Sequence, residues 1–64
     1  MNAAVLRYLQ AQAGPVPSAQ VMAALWLDHI TAYAALVELE SAELARVVVD
    51  RSGQDVRAYW DAMA

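Results

Sequence analysis

The first part of the chain has apolar residues at helical spacing. They recur every three or four positions, which predicts one helix over about residues 2–12 with a single apolar face. Gly14 suits the position after this helix, because glycine tolerates a left-handed backbone. Each proline of the segment 15–17 fixes its own φ and restricts the residue before it, so we expect an extended conformation there. The residues of the apolar face are Val5, Leu6, Leu9 and Ala13.

Two more helices are predicted between Ser18 and Ser41. Ser18 suits the N-cap of helix two, because its hydroxyl can accept a hydrogen bond from a free backbone N–H. Asp28 suits the N-cap of helix three, where a carboxylate also interacts favourably with the positive end of the helix. Helix three is expected to end near Ser41. The short apolar stripe of helix two consists of Val21, Met22 and Leu25.

From Leu44 onward the pattern is that of strands. The β-branched run 47–49 favours a strand, and residues 50–55 are turn-forming, with Gly53 able to take a positive φ. The side chains of residues 56–60 would alternate between the two faces of a second strand, as successive side chains in a strand do. We therefore predict a hairpin, to which the extended segment 15–17 could add a short third strand. The two sides of the second strand carry Val56, Ala58 and Trp60, and Arg57 and Tyr59.

This order of elements predicts an α+β fold that is mainly α. Three helices with a helix-turn-helix, followed by a C-terminal β-hairpin wing, make the order of a winged helix. The 64 residues (1–64) are expected to form a single domain. A domain of this size buries only about 60% of the surface of its unfolded chain. Its stability is therefore marginal, and binding of a partner would add to it.

Composition narrows the classes of function. The chain is 61% hydrophobic, so disorder is not expected, and it has no cysteine for disulfides, thiolate chemistry or Cys-based metal sites. It lacks the charged start and long apolar run of a signal peptide. Its most apolar stretch, 21–37, is shorter than the roughly 20 residues that a membrane span needs. We therefore expect a soluble, cytoplasmic protein that does not bind membranes.

Several segments together resemble the winged-helix regulators, and the MarR-like branch most, over about residues 4–63. Residues 14–21 resemble the start of helix two in that family, and residues 27–40 resemble its recognition helix. Residues 41–46 resemble the step into the wing. Asp55-Val56-Arg57 is similar to the Asp-x-Arg of the MarR-type wing.

The resemblance implies a small regulator of transcription that binds double-stranded DNA. It places the counterpart of Arg57 near the wing, where it supports DNA contact. Two residues depart from the family pattern. Trp26 stands where the family often has glycine in the helix-turn-helix bend, and Glu43 stands where it often has glycine after helix three.

The predicted recognition helix lacks the cations that DNA binding normally requires. There is no Lys or Arg between Arg7 and Arg46, and the net charge is −3. A single copy should therefore bind DNA weakly and need a second copy or a partner. The side chains predicted to contact DNA are Ser18, Gln20, His29, Thr31, Tyr33, Arg51 and Arg57.

Helix three has a second apolar stripe on the face where a DNA reader carries hydrogen-bonding side chains. Its core-facing residues are expected to be Ala32, Leu36 and Leu39. The second stripe is either ordinary alanine-rich helix surface or a docking face for another protein or for a second copy in a homodimer. The alternative function is thus a protein-interaction module that has lost DNA binding. Its predicted partner-binding residues are Ile30, Tyr33, Ala34, Val37 and Trp26.

Three side chains have competing interpretations. For Trp26 we favour a core position that closes the corner between helices two and three, over a place in the apolar stripe. Arg51 and Arg57 either pair with the aspartates at positions 50, 55 and 61 or contact DNA from the wing.

Catalysis and cofactor binding are not expected. His29 is the only histidine and is expected to be solvated, since no second His or Cys could join it as a metal ligand. Glu38, Glu40 and Glu43 form an acidic patch on an open surface, without a nucleophile or metal partner. We therefore predict a protein that is not an enzyme and that has no catalytic residues, metal or cofactor.

Overall fold

The computed structural model describes residues 2–63 as three helices and a three-stranded antiparallel sheet. This confirms the predicted α+β class, the hairpin and the short strand within 15–17. The central strand pairs with both others, in the order β1-β3-β2. The elements are α1 (Asn2–Gln10), β1 (Val16–Pro17), α2 (Ser18–Leu25), α3 (His29–Ser41), β2 (Ala45–Asp50) and β3 (Arg57–Ala62).

The core lies between the helices and one face of the sheet. Its largest fully buried side chains are aliphatic, and burial of each stabilises the fold by about 1.5–3 kcal/mol. The predicted core face of α3 is confirmed, and Ala35 joins it. The fully buried large side chains are Leu9, Leu36, Val5 and Val21.

Helix α1 ends at Gln10, before the predicted end at Gln12. The N–H groups of Ala11 and Gln12 donate to carbonyls three residues back, at 3.2 Å each. This tighter turn uses the carbonyl groups that the helix end leaves free, so the helix stops there and not next to Gly14. Ala13 is consequently exposed and lies outside the apolar face to which it was assigned.

The predicted N-cap at Ser18 is wrong. Pro17 occupies the cap position with φ −72° and ψ 155°, and no side chain caps the helix. Pro17 is also the last residue of β1, where it is paired with Tyr59. Because the sheet already holds Pro17 extended, α2 begins directly after it and Ser18 becomes the first helical residue.

Helices α2 and α3 form a bent pair, with their axes turned by 116° at the break between them. The N–H of Leu27 donates to the carbonyl of Met22 at 3.0 Å and holds this corner. The predicted cap at Asp28 is confirmed. No single helix within residues 2–63 is long and apolar enough to cross a membrane.

Two helix ends have a left-handed backbone on a residue that is not glycine. Trp26, the C-cap of α2, has φ 57°, and Glu43, just after α3, has φ 62°. A side chain in this region costs roughly 1–2 kcal/mol. Gly14 and Gly53, which the sequence suggested for positive φ, do not adopt it. The strained positions are thus the two at which glycine is expected from the family resemblance.

We expect Glu43→Gly to raise the free energy of unfolding by about 1 kcal/mol, because glycine removes the left-handed strain. Glu40→Gly is the matched control, since it removes the same charge from the last turn of α3. There glycine should lower the free energy of unfolding by up to about 1 kcal/mol. Chemical denaturation of the three proteins measures both changes, and a destabilised Glu43→Gly variant would contradict the strain.

Candidate functional site

The first turn of α3 is held by Asp28. Its Oδ1 accepts a hydrogen bond from the N–H of Thr31 at 2.9 Å. Hydrogen bonding from Thr31, through its side chain and its backbone N–H, lowers the pKa of Asp28 below its usual 3.8. The cap fixes where the helix begins, and it thereby determines which side chains of α3 face the solvent.

The outward face of α3 is apolar, as predicted for its second stripe. Ile30, Tyr33 and Val37 are 77%, 50% and 40% exposed, and they follow one another at three- and four-residue steps. Ala34 is exposed beside them. Three positions after Val37, the same face ends in the exposed Glu40. The helix therefore carries a solvent-facing apolar stripe with a carboxylate at its C-terminal end.

Tyr33 connects this face to the sheet. Its ring meets the buried Trp60 edge to face, with centroids 6.0 Å apart. The ring of His29, from the same helix, stacks on the Tyr33 ring with centroids 6.0 Å apart. Since half of Tyr33 remains exposed, it both supports the fold and contributes to the exposed surface.

The hairpin has two chemically different faces. Residues directly opposite each other in the ladder share a face, and Trp60 identifies the one that points toward the helices. Val47 lies opposite Trp60, and Val49 lies opposite Ala58. Val47 and Val49 are 39% and 44% exposed, so the helix-facing side of the hairpin carries exposed apolar side chains beyond the core. The outer face carries Arg46, Val48, Asp50, Arg57, Tyr59 and Asp61.

Sequence analysis missed Val47 and Val49 as parts of the candidate site. The sequence has three consecutive valines at 47–49, and only the register with Trp60 shows which of them share its face. We name the combined set the apolar surface. It consists of Ile30, Tyr33, Ala34 and Val37 from α3 and Val47 and Val49 from β2.

Trp26 is 94% exposed, which overturns the favoured core position. The neighbouring Leu25 and Leu27 pack against the core at this corner instead. Only the backbone of Trp26 has a role in the fold, because its N–H donates to the carbonyl of Met22. Its ring is therefore free at the α2–α3 corner.

Carboxylates border one end of the apolar surface. Glu40 and Glu43 line a shallow groove of about 490 Å³ together with Val47 and Met63. Glu38, the third member of the predicted acidic patch, accepts a hydrogen bond from the side chain of Asn2. The groove thus has apolar walls, two carboxylates and the side chain of Arg46.

The residues predicted to contact DNA are spread over the domain. His29, Thr31 and Tyr33 lie together in the first turns of α3. Gln20 is engaged with α1, since its Nε2 donates to Tyr8 Oη at 2.9 Å. Ser18 is half-buried at the start of α2.

Arg51 and Arg57 belong to the hairpin and its turn. Arg51 is exposed in the turn, and Arg57 belongs to the outer face of the hairpin. Within residues 2–63 the one ion pair joins Arg46 Nη2 to Asp61 Oδ2 at 3.2 Å, so neither Arg51 nor Arg57 is paired. Asp50, opposite Arg57, instead accepts hydrogen bonds from the side chain and N–H of Ser52, which lower its pKa.

Comparisons with protein-family models, with curated proteins and with solved structures found no match to this chain. Among the residues that the structure describes, no three His, Cys, Asp or Glu side chains are grouped so that they could hold a metal ion.

Replacing Asp28 by Ala should lower Tm by a few degrees near neutral pH, because α3 loses its cap. Since the folded-state pKa of Asp28 is lowered, the cap stabilises the fold fully above the usual value of 3.8. Its contribution is lost as pH falls through the folded-state pKa. The Tm difference between the wild type and Asp28→Ala should therefore shrink in acid.

Asp28→Asn provides the control for this prediction. Asparagine caps about as well as aspartate but does not titrate. Thermal unfolding followed by circular dichroism should show this variant close to the wild type near neutral pH. A Tm for Asp28→Ala equal to that of the wild type at neutral pH would show that the cap does not stabilise α3.

Proposed function

We propose that this chain is a winged-helix protein-interaction module that binds another protein through the apolar surface. Three features support the winged-helix assignment: the α1-β1-α2-α3-β2-β3 order, the bend between α2 and α3, and the pairing of β1 with β3. In this assignment α3 is the recognition helix and the β2–β3 hairpin is the wing. The module binds without catalysing a reaction.

The exposed apolar face of α3 is the observation that carries the proposal. Base edges are hydrogen-bonding groups, so a DNA reader presents Arg, Lys, Asn or Gln on this face. Here the corresponding positions are Ile30, Tyr33 and Val37, all at least 40% exposed. An exposed helix face of this kind is the usual partner surface in helix-in-groove recognition. Val47 and Val49 add exposed apolar side chains on the face of the hairpin that carries Trp60, whose ring meets Tyr33 of α3.

The charge distribution also favours a protein over DNA. No Lys or Arg lies between Arg7 and Arg46, and the chain has a net charge of −3. Affinity for DNA comes largely from cations that neutralise phosphates. Glu40 and Glu43, at the C-terminal end of the apolar surface, would repel a phosphate backbone that lies on α3.

Val37→Glu should abolish partner binding, because it places a charge on the apolar surface. We expect at least a roughly tenfold loss of the partner recovered by the tagged, full-length protein from lysate. Gln10→Glu is the charge-matched control on the exposed side of α1 and should leave recovery unchanged. Recovery of the same partner by the Val37→Glu protein, with its circular dichroism spectrum intact, would refute the proposal.

A DNA-binding transcription regulator is the second candidate function. It is favoured by the two exposed wing arginines, which form no ion pair within residues 2–63. With Ser18, Gln20 and the polar residues at the start of α3, they would provide phosphate and base contacts. Because the cations are few, a single copy would bind weakly and gain from a second copy or a partner.

A titration with a mixed-sequence DNA duplex at low salt tests this candidate. DNA binding predicts backbone-amide NMR shifts at Thr31, Tyr33 and residues 51–57. It also predicts that the logarithm of the binding constant falls with that of the salt concentration with a slope of about −2, if two phosphates are neutralised. The double variant Arg51→Ala, Arg57→Ala should remove that slope. If α3 and the wing show no shifts, DNA binding is excluded.

A further inference from the structure

We propose that the partner of the apolar surface is a single amphipathic helix with Lys or Arg next to one end of its apolar stripe. This inference rests on the proposed function, and it specifies the chemistry of the partner. The shape of the surface, the acidic residues at one end and the exposed tryptophan at the other each contribute one step.

The shape of the apolar surface fits one helix. Its α3 part, together with Glu40 at its C-terminal end, covers residues 30–40, which at 1.5 Å per residue is about 15 Å, or about three helical turns. Three- and four-residue steps between its apolar side chains are the spacing that packs against the ridges of a second helix. The hairpin forms the other border, since Val47 lies in the groove beside the end of α3.

The negative charge at one end of the apolar surface is complementary to a cation on the partner. Glu40 and Glu43 are exposed beside Val47, and the negative C-terminal end of the α3 dipole adds negative potential there. Arg46 also borders this groove, but its guanidinium pairs with Asp61 on the outer face. The complement of this end is therefore a Lys or Arg side chain.

This charge requirement selects among the possible occupants. A second copy of the chain has no Lys or Arg between Arg7 and Arg46, so its own α3 would bring carboxylates and no cation. DNA and anionic lipid surfaces would bring phosphates to the same place. A basic amphipathic helix of another protein supplies both the apolar stripe and the cation.

Trp26 marks the opposite end of the surface. It precedes Ile30 by four residues, so their Cα atoms are at most about 14 Å apart. Its ring is 94% exposed and its backbone is left-handed, although glycine would avoid that strain. The fold gains nothing from this ring, and tryptophan is enriched among residues that dominate binding energy. We therefore assign Trp26 as an apolar anchor for the partner helix.

Two labelled probe peptides of about 14 residues test the charge requirement. Both have leucines at positions i, i+3, i+4 and i+7, and one ends in two lysines where the other ends in two glutamates. Fluorescence anisotropy with the full chain should show that the lysine probe binds roughly tenfold more tightly than the glutamate probe. Each of the two ion pairs contributes about two- to fivefold to this ratio. The double variant Glu40→Lys, Glu43→Lys should reverse the preference.

Trp26→Gly tests the anchor. Because glycine relieves the left-handed strain, this variant should unfold at a higher temperature than the wild type. It should nevertheless bind the lysine probe roughly tenfold more weakly. Loss of binding in a more stable protein cannot result from unfolding, and undiminished binding would show that Trp26 is not an anchor.

The remaining outcomes separate this inference from the proposed function. Equal binding of both probes, or no binding of either, overturns the basic-helix assignment. If Val37→Glu then still abolishes recovery of a partner, the proposed function stands and only the basic-helix assignment fails. Broadening of α3 amide lines with rising protein concentration, lost in Val37→Glu, would instead identify a second copy as the occupant. If Val37→Glu changes neither recovery nor probe binding, both proposals fail.

Discussion

The packing of Trp60 on the central strand is the interaction on which the rest of the structure depends. In the ladder it lies opposite both Val16 and Val47, so its position ties the three strands together. Its buried ring meets Tyr33 of α3 edge to face. Trp60 thus joins the sheet to α3, and it identifies the side of the hairpin that faces the helices.

Two helix ends adopt a backbone conformation that costs free energy and brings no packing in the core. Trp26 and Glu43 both adopt the left-handed backbone for which glycine is suited, and both are exposed. In a domain that buries only about 60% of its chain surface, a cost of 1–2 kcal/mol at each corner is large. Trp26 precedes Ile30 by four residues and Glu43 lines the groove beside Val47, so the two strained positions lie at opposite ends of the apolar surface.

The two faces of the hairpin differ in charge. The outer face of the hairpin carries the Arg46–Asp61 pair and Arg57, whereas the helix-facing side carries valines. A ligand on α3 therefore meets apolar side chains and, at one end, carboxylates. Helix α3 itself has no Lys or Arg, and the fold places Arg46 and Arg57 on the outer face of the hairpin.

Local pattern determined much of this protein. Helical spacing predicted the buried and exposed faces of α3, the chemistry of Asp28 predicted its cap, and β-branched residues with a turn predicted the hairpin. These features depend on neighbours within a few positions, so the sequence contains them. The tertiary structure decided the N-cap at Pro17, the exposure of Trp26 and the addition of Val47 and Val49 to the surface. Each of these depends on contacts between distant segments: sheet pairing at Pro17, the leucines that fill the corner beside Trp26, and the register that aligns Val47 with Trp60.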